Sequence, residues 1–400
     1  MEKTIEVSKN EPVSQQPVEI VERKGLGHPD SICDAVMDRV SVALSREYMR
    51  RFGAVLHHNI DKGLLVAGQV EKGFGSGRVI RPMELIVGDR AAFAFGRTKV
   101  PVNSIVKETV REWFGENLPA VDPDKHLKTR VVLQPGSVEL ADIFDRKGQV
   151  LGANDTSAAC GYAPLTPTEE AVLSTEKFIN SPAFKLRFPE TGEDVKVMGV
   201  RKGTSLDLTV ACPLMARLID SEAAYFRRKK AVREALEEFC RGFLFNKVTL
   251  NLNSLDAKGR GVKGVYLSLL GTSAEDADSG QVGRGNRVNG VISLMRPMGT
   301  EAAAGKNPVS HVGKIYSVLS HRMAAEIYER VEGVKEVSVW LVSAIGAPID
   351  DPKQVYVQII GRARRRHAAM QSEVQTIIDE FLSAIGPFTE ELARGEHPVC

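Results

Sequence analysis

What this chain lacks narrows its chemistry. Its 400 residues contain no Walker A lysine loop and no GxSxG elbow, which argues against a P-loop NTPase and against an elbow-type serine hydrolase. Five cysteines, Cys33, Cys160, Cys212, Cys240 and Cys400, show no CxxC or other zinc spacing. Their odd number and scatter predict free thiols in a reducing compartment. The first residues lack a signal-peptide apolar region, and no apolar run is long enough to span a bilayer. Lysine and arginine total 53 against 51 aspartates and glutamates, so no charge excess favours nucleic acid or a membrane surface. No internal repeat or low-complexity tract stands out. The expectation is a soluble, cytoplasmic protein of about two to three domains with no nucleic-acid or membrane partner.

What is present alternates irregularly between strand and helix patterns. Strand-like runs fall at 63–70, 83–88, 129–134, 206–212, 247–253, 264–271, 335–346 and 354–361. Helical patterns begin near Thr166, whose spacing to Glu169 predicts a capping box with Pro167 at the first helical position. Others run through 218–243, 312–333 and 373–386. Several strands lie at hairpin distance, which favours an α+β fold with mostly antiparallel sheets over a doubly wound parallel sheet. Glycine, aspartate and serine cluster near 135–155 and 255–280, suggesting divisions at about 1–140, 141–255 and 256–400.

The stretch "ERKGLGHPDSICD", Glu22 to Asp34, poses the first chemical question. Ile32, Val36, Val40 and Leu44 follow at helical spacing, and Gly53 supplies a stop. Asp30, Asp34 and Asp38 share one face of that helix, where like charges repel by about 0.2–0.5 kcal/mol per pair. A first-turn aspartate suits the helix dipole. The dipole does not explain His28, held by Pro29 and approached through Gly25 and Gly27. Histidine and aspartate at a helix start suit phosphate, a metal or both.

Other segments carry charge in a similar setting. "GEDVKVMG" (192–199) alternates Asp194 and Lys196 along a short strand, so both point to one face. An ordinary surface ion pair is the plain alternative. "GTSAEDADSGQVGRGNRVNG" (271–290) delivers Asp278, Arg284 and Arg287 among glycines, a composition suited to a metal–polyphosphate complex. "AAAGKNPVSHVGKIY" (302–316) offers Lys306, His311 and Lys314 at a helix start. "LGANDTSAACGYA" (151–163) holds Asp155 among small residues. Three weaker features read as structure. "KGFGSGRV" (72–79) is a hairpin turn, "RRKK" (227–230) a solvated helix face, and "RARRRH" (362–367) a charged loop or helix start. No nucleophile–base pair appears, so a phosphate-handling enzyme of this composition needs its substrate to supply the nucleophile.

"GHPDSICD", "GANDTS…GYA", "GEDVKVMG", "GRGNRVNG" and "GKNPVSHVGKIY", in this order, resemble S-adenosylmethionine synthetases of the archaeal type, over about Val18 to Ile360. The resemblance implies three similar α+β domains in pseudo-threefold arrangement with interleaved chain segments. It also implies a homodimer with shared active sites, and ATP and L-methionine as substrates. Methionine's thioether attacks C5′ of ATP and displaces the tripolyphosphate, which is then cleaved to pyrophosphate and phosphate. His28, Lys196, Arg284 and Lys306 are the implied catalytic groups, with His28 beside the C5′–phosphate oxygen. Asp30 and Asp278 are the implied magnesium ligands, and potassium is a second cation the resemblance allows. Gln134, Gly136, Ser137, Asp155, Asp194, Asp278, Arg287, His311 and Lys314 complete the expected ATP and methionine contacts. Asp155 is expected to come from the neighbouring subunit.

The motifs also depart from the common bacterial and eukaryotic branch. Gly285 stands where that branch has a second basic residue, His311 near a lysine, and Gly313 in place of a metal-binding aspartate. No counterpart of its monovalent-cation glutamate is evident around His57 to Asp61. Arg287 is therefore expected to replace the missing basic group. Part of the segment from Gln134 to Asp155 is expected to close over the substrates.

Overall fold

The computed structural model describes residues 1–136, 150–361 and 367–399. Ser137, most of the segment expected to close, residues 362–366 of the basic run and Cys400 lie outside the described residues.

The helix predicted after His28 runs from Pro29 to Phe52 and ends at Gly53, whose φ of 71° is the left-handed cap that glycine favours. Ile32, Val36, Met37, Val40, Leu44 and Tyr48 are fully buried along its inner stripe. Burying a large apolar side chain contributes about 1.5–3 kcal/mol, so this stripe anchors the helix on the strand His58–Val66. The capping box at Thr166 and Glu169 is present, with Pro167 opening helix Pro167–Ile179.

Three larger sheets organise the chain. The first runs Lys247–Leu252, Ser205–Ala211, Lys196–Lys202, Val18–Lys24, Ile292–Ser293. The second runs Gln134–Pro135, Met83–Ala91, His58–Val66, Gly280–Gln281, with Leu127–Val131 also paired to Met83–Ala91. The third runs Glu2–Ser8, Gln354–Gly361, Val334–Val342, Ala158–Ala163. Each draws strands from distant stretches of sequence. Val18–Lys24 lies between strands from beyond residue 190 and residue 290.

Antiparallel pairings predominate among the described strands, as expected, but each of the three larger sheets also holds a parallel pair. Glu2–Ser8 joins Gln354–Gly361 in parallel, and Ser205–Ala211 joins Lys247–Leu252 in parallel. Strands that return from far along the chain are free of the antiparallel constraint a hairpin imposes. "KGFGSGRV" does form a hairpin, Gln69–Gly73 with Ser76–Arg81. The run 264–271 gives only the short strand Leu267–Ser268. There the N–H groups of Leu269 and Leu270 donate to the Glu275 carboxylate, at 2.8 and 2.7 Å, instead of to a ladder. The C-terminal helical pattern becomes two helices, His367–Ser383 and Ile385–Arg394.

A buried ionic seam joins the first and third sheets. Arg201 pairs with Glu19 at 3.0 Å, and Arg296 bridges Glu169 at 3.1 Å and Glu336 at 2.9 Å. Losing one partner of such a pair strands a buried charge and costs about 3–5 kcal/mol. Among the described residues no helix is long and apolar enough to cross a membrane, and Cys33, Cys160, Cys212 and Cys240 are free thiols.

Candidate functional site

The glycines of "KGLGHPD" answer the question that stretch raised. Gly25 N–H donates to Val195 O at 2.6 Å and Gly27 N–H to Glu193 O at 3.0 Å. A Cβ at Gly25 would lie 2.5 Å from Val195 O, and one at Gly27 would lie 2.5 Å from Asp194 N. Only bare backbone fits this seam. The seam carries "GHPD" to "EDVK", bringing His28, Asp30, Asp194, Lys196 and Asp278 into one electrostatic neighbourhood.

His28 is the N-cap of the helix, its Nδ1 accepting from Asp30 N–H at 3.2 Å. That bond selects the neutral tautomer with its proton on Nε2. Burial lowers its pKa to about 4, against the pull of Asp30, so near neutral pH the ring is an uncharged donor. Asp30 is held on both oxygens, by Lys24 Nζ at 2.9 Å and by Gln281 N–H at 2.9 Å. Lys24 also donates to Arg284 O at 2.6 Å. Sequence reasoning missed Lys24, although it stands directly before the glycine pair.

Asp194 and Lys196 differ from expectation. The strand begins at Lys196, and Asp194 lies before it, buried, because Ser273 claims its carboxylate through N–H at 2.7 Å and through Oγ. Burial raises the Asp194 pKa to about 6 despite those bonds. Lys196 is half-exposed, 3.5 Å from Glu22. Asp278 is exposed beside the cluster.

The other two aspartates of the helix face secure loops. Asp34 accepts from Gly283 N–H at 2.7 Å and Gly285 N–H at 3.1 Å. Burial raises its pKa to about 6 against those bonds and nearby Arg287. A Cβ at Gly285 would collide with the Asp34 carboxylate, which accounts for glycine between the two arginines. Asp38 accepts from Lys314 Nζ at 2.6 Å, and Lys314 is 1% exposed. In this arrangement Lys314 is a buried structural cation and not an anion-facing one. Arg287 donates to Gly283 O at 2.7 Å and Gly285 O at 3.0 Å, bracing its own loop where an open clamp was expected. His311 is also withdrawn. It is buried, its pKa is driven well down by burial, and its ring lies 5.9 Å from His57.

The second group of residues lines a cleft of about 530 Å³. Arg284, Lys306 and Asp155 share it with Asp61, Lys62 and Glu301. Lys306 is set by an isolated bridge to Asn59 and by Gly305, whose C=O accepts from Ile60 N–H of the His58–Val66 strand at 2.8 Å and whose N–H donates to Asp38 at 3.4 Å. Its Nζ meets Asp61 at 2.5 Å and Glu301 at 3.2 Å. Burial opposes its charge, but these carboxylates outweigh burial and raise its pKa. Asp155 is exposed on a loop fixed by Asn154, which caps helix Val312–Arg330 through Val312 N–H at 3.1 Å. Gln134 is exposed at a short edge strand. Gly136 abuts the His57 ring so closely that a Cβ would collide. His58, fully buried, spends its ring nitrogens on Ser41 at 2.9 Å and Leu56 O at 3.0 Å, a structural role.

Among the described residues no group of three or more His, Cys, Asp or Glu is poised to hold a metal alone. The carboxylates nearest His28 are Asp30, whose oxygens meet Lys24 and Gln281, and the exposed Asp278; a magnesium ion shared with substrate phosphates takes only one or two protein carboxylates.

The model of the S-adenosylmethionine synthetase (AdoMet synthetase) family matches residues 2–396. A probable S-adenosylmethionine synthase of Aquifex aeolicus is 43% identical over 98% of this chain and 97% of its own. The S-adenosylmethionine synthase of Aeropyrum pernix is 44% identical over 97% and 96%. The solved structure described as an unusual S-adenosylmethionine synthetase from Campylobacter jejuni aligns with a TM-score of 0.61 at 15% identity. It covers 95% of this chain and 94% of that one, a likeness of fold. With the motifs assembled as described and the match running through almost the whole length, this chain belongs to the S-adenosylmethionine synthetase family.

Proposed function

We propose that this chain forms S-adenosyl-L-methionine from ATP and L-methionine, with cleavage of the displaced tripolyphosphate to pyrophosphate and phosphate. Family membership and a site rich in cations, with no nucleophile–base pair facing it among the described residues, support this reading. The observation that carries it is His28, buried and neutral with Nε2–H as its donor, beside Asp30, Lys196 and Asp278.

The thioether sulfur has no proton to lose, so attack on C5′ needs no general base. The C–S bond forms as the C5′–O bond breaks, and the electron pair leaves on the tripolyphosphate. His28 donates toward that departing oxygen, and Lys196, Arg284 and Lys306 balance the anion's charge. A unit charge about 4 Å away is worth roughly 4 kcal/mol at an effective dielectric near 20. Bound magnesium, held by Asp30 and Asp278, would neutralise phosphate oxygens.

The His28 cluster and the Lys306 cleft are read as complementary halves of one site, contributed by two copies in a homodimer, with Asp155 reaching the neighbour's substrates. Three similar domains with interleaved segments carry these halves. Gln134, Gly136 and Ser137 begin the segment proposed to close over ATP and methionine, and a cytoplasmic setting fits the free thiols. Incubation with ATP, methionine and magnesium should yield S-adenosylmethionine by mass, with pyrophosphate and phosphate released. Loss of ATP at the same rate without methionine would overturn the assignment.

A further inference from the structure

Lys306 is flanked by two carboxylates of unequal standing. Asp61 keeps 3% of its side chain exposed and is held by Lys62 at 2.6 Å as well as by Lys306. Glu301 keeps 32% exposed, meets Lys306 at 3.2 Å, and has one further hold, a hydrogen bond from Ser157 Oγ at 3.3 Å. Position 313 makes room for it. A Cβ there would lie 2.8 Å from Glu301 Oε2 and 2.8 Å from the Lys306 side chain, so glycine leaves the space that Glu301 fills.

The cleft also carries Asp61, Asp155 and Glu301 against Lys62, Arg284 and Lys306. Its formal charges cancel. A polyanion gains little from a lysine already paired on both sides, since each oxygen it brings must replace a carboxylate oxygen. Of the two carboxylates, the half-exposed one with the weaker anchor is the one that can leave.

We propose that Glu301 occupies the phosphate seat beside Lys306 and yields it when polyphosphate binds. Its carboxylate keeps the ammonium in place and solvated by protein while discouraging smaller anions that cannot displace it. Ser157, on the loop that bears Asp155, then couples the release of Glu301 to the position of that loop. The proposal rests on the reading of this cleft as the polyphosphate half of a methionine adenosyltransferase site.

The test is calorimetric titration of inorganic tripolyphosphate into the intact protein in EDTA, so that binding is read without turnover or magnesium. Glu301→Gln keeps the shape and removes the charge, and should bind about tenfold tighter than wild type. Ser157→Ala, which frees only the outer anchor, should move the same way by less. Glu301→Asp should stay near wild type because the competing charge remains. Unchanged or weaker binding by Glu301→Gln, or a gain by Glu301→Asp equal to it, would overturn the idea. Mass detection of S-adenosylmethionine from the wild-type protein judges the activity separately, so a failure there is distinguishable from a failure of Glu301.

Discussion

Backbone contacts place both His28 and Lys306, but burial sets the charge of the first while carboxylates hold the side chain of the second. In the first region, bare glycine edges lock onto residues 193–195, and burial then tunes the side chains, leaving His28 neutral and Asp194 shifted upward. In the second, a largely buried lysine sits between opposing carboxylates at the wall of an open cleft. Neither backbone has room for an added atom, but the first fixes a neutral ring in place while the second leaves an ammonium whose carboxylate partners can exchange. The difference suits the proposed chemistry. The group at the reacting carbon must be held rigidly, whereas the cations meeting a long flexible anion must exchange partners.

The strongest way to break that contrast is Gly27→Ala. Its Cβ has no space against Asp194 and Glu193, so a loss of at least about 3 kcal/mol in denaturant unfolding, with activity abolished, is expected. A variant of normal stability and activity would remove the backbone half of the comparison.

Lys306→Met should lower S-adenosylmethionine formation by about 100- to 1,000-fold while the fold persists, because Asp61 retains Lys62. Lys314→Met should do the reverse, costing about 2–3 kcal/mol of stability through Asp38, with a smaller effect on tripolyphosphate affinity. Equal effects of the two variants on that affinity would mean that Lys314 also faces the anion.

Asp34 sharpens the comparison through pH. Its folded-state pKa is raised from 3.8 to about 6, so the stability it contributes is fully present below about pH 4 and is lost as pH rises through about 6. The shift corresponds to about 3 kcal/mol. Urea unfolding of wild type and Asp34→Asn should therefore show a difference that moves against wild type between pH 4 and 7, and a pH-independent difference would contradict the burial argument. His28 has the opposite sign. Its depressed pKa gives stability present above about pH 6.5 and lost as pH falls toward about 4.

Arg287→Ala should have the smallest effect, about 1–2 kcal/mol of stability from its carbonyl bonds, and should impair tripolyphosphate cleavage less than Arg284→Ala. A deeper cleavage defect in Arg287→Ala would restore it as a phosphate clamp.

The sequence made some of this legible. Local rules sufficed for the helix from Pro29 to Gly53 and the capping box at Thr166, because caps and periodicity act within a few residues. Ordered motifs pointed to His28, Lys196 and Lys306 as site candidates. What they could not reveal was which charges are already spent. Asp34, Asp38 and Lys314 share their segments with site residues, yet their partners lie between 249 and 276 positions away. Glu301 and Asp61 belong to no motif and became visible only through their contacts with Lys306. The mostly antiparallel pairing was legible, but the parallel pairs were not, since hairpin spacing says nothing about strands that return from the far end of the chain.

The central claim, that the two regions are halves of one site contributed by different copies, has a direct test. His28→Ala and Lys306→Ala proteins, each nearly inactive alone, are unfolded, mixed in equal amounts and refolded. Shared sites in a twofold dimer predict recovery of about a quarter of wild-type S-adenosylmethionine formation, because half the dimers are hybrids and each hybrid has one intact site. No recovery, with hybrid dimers verified by native mass spectrometry, would contradict the account.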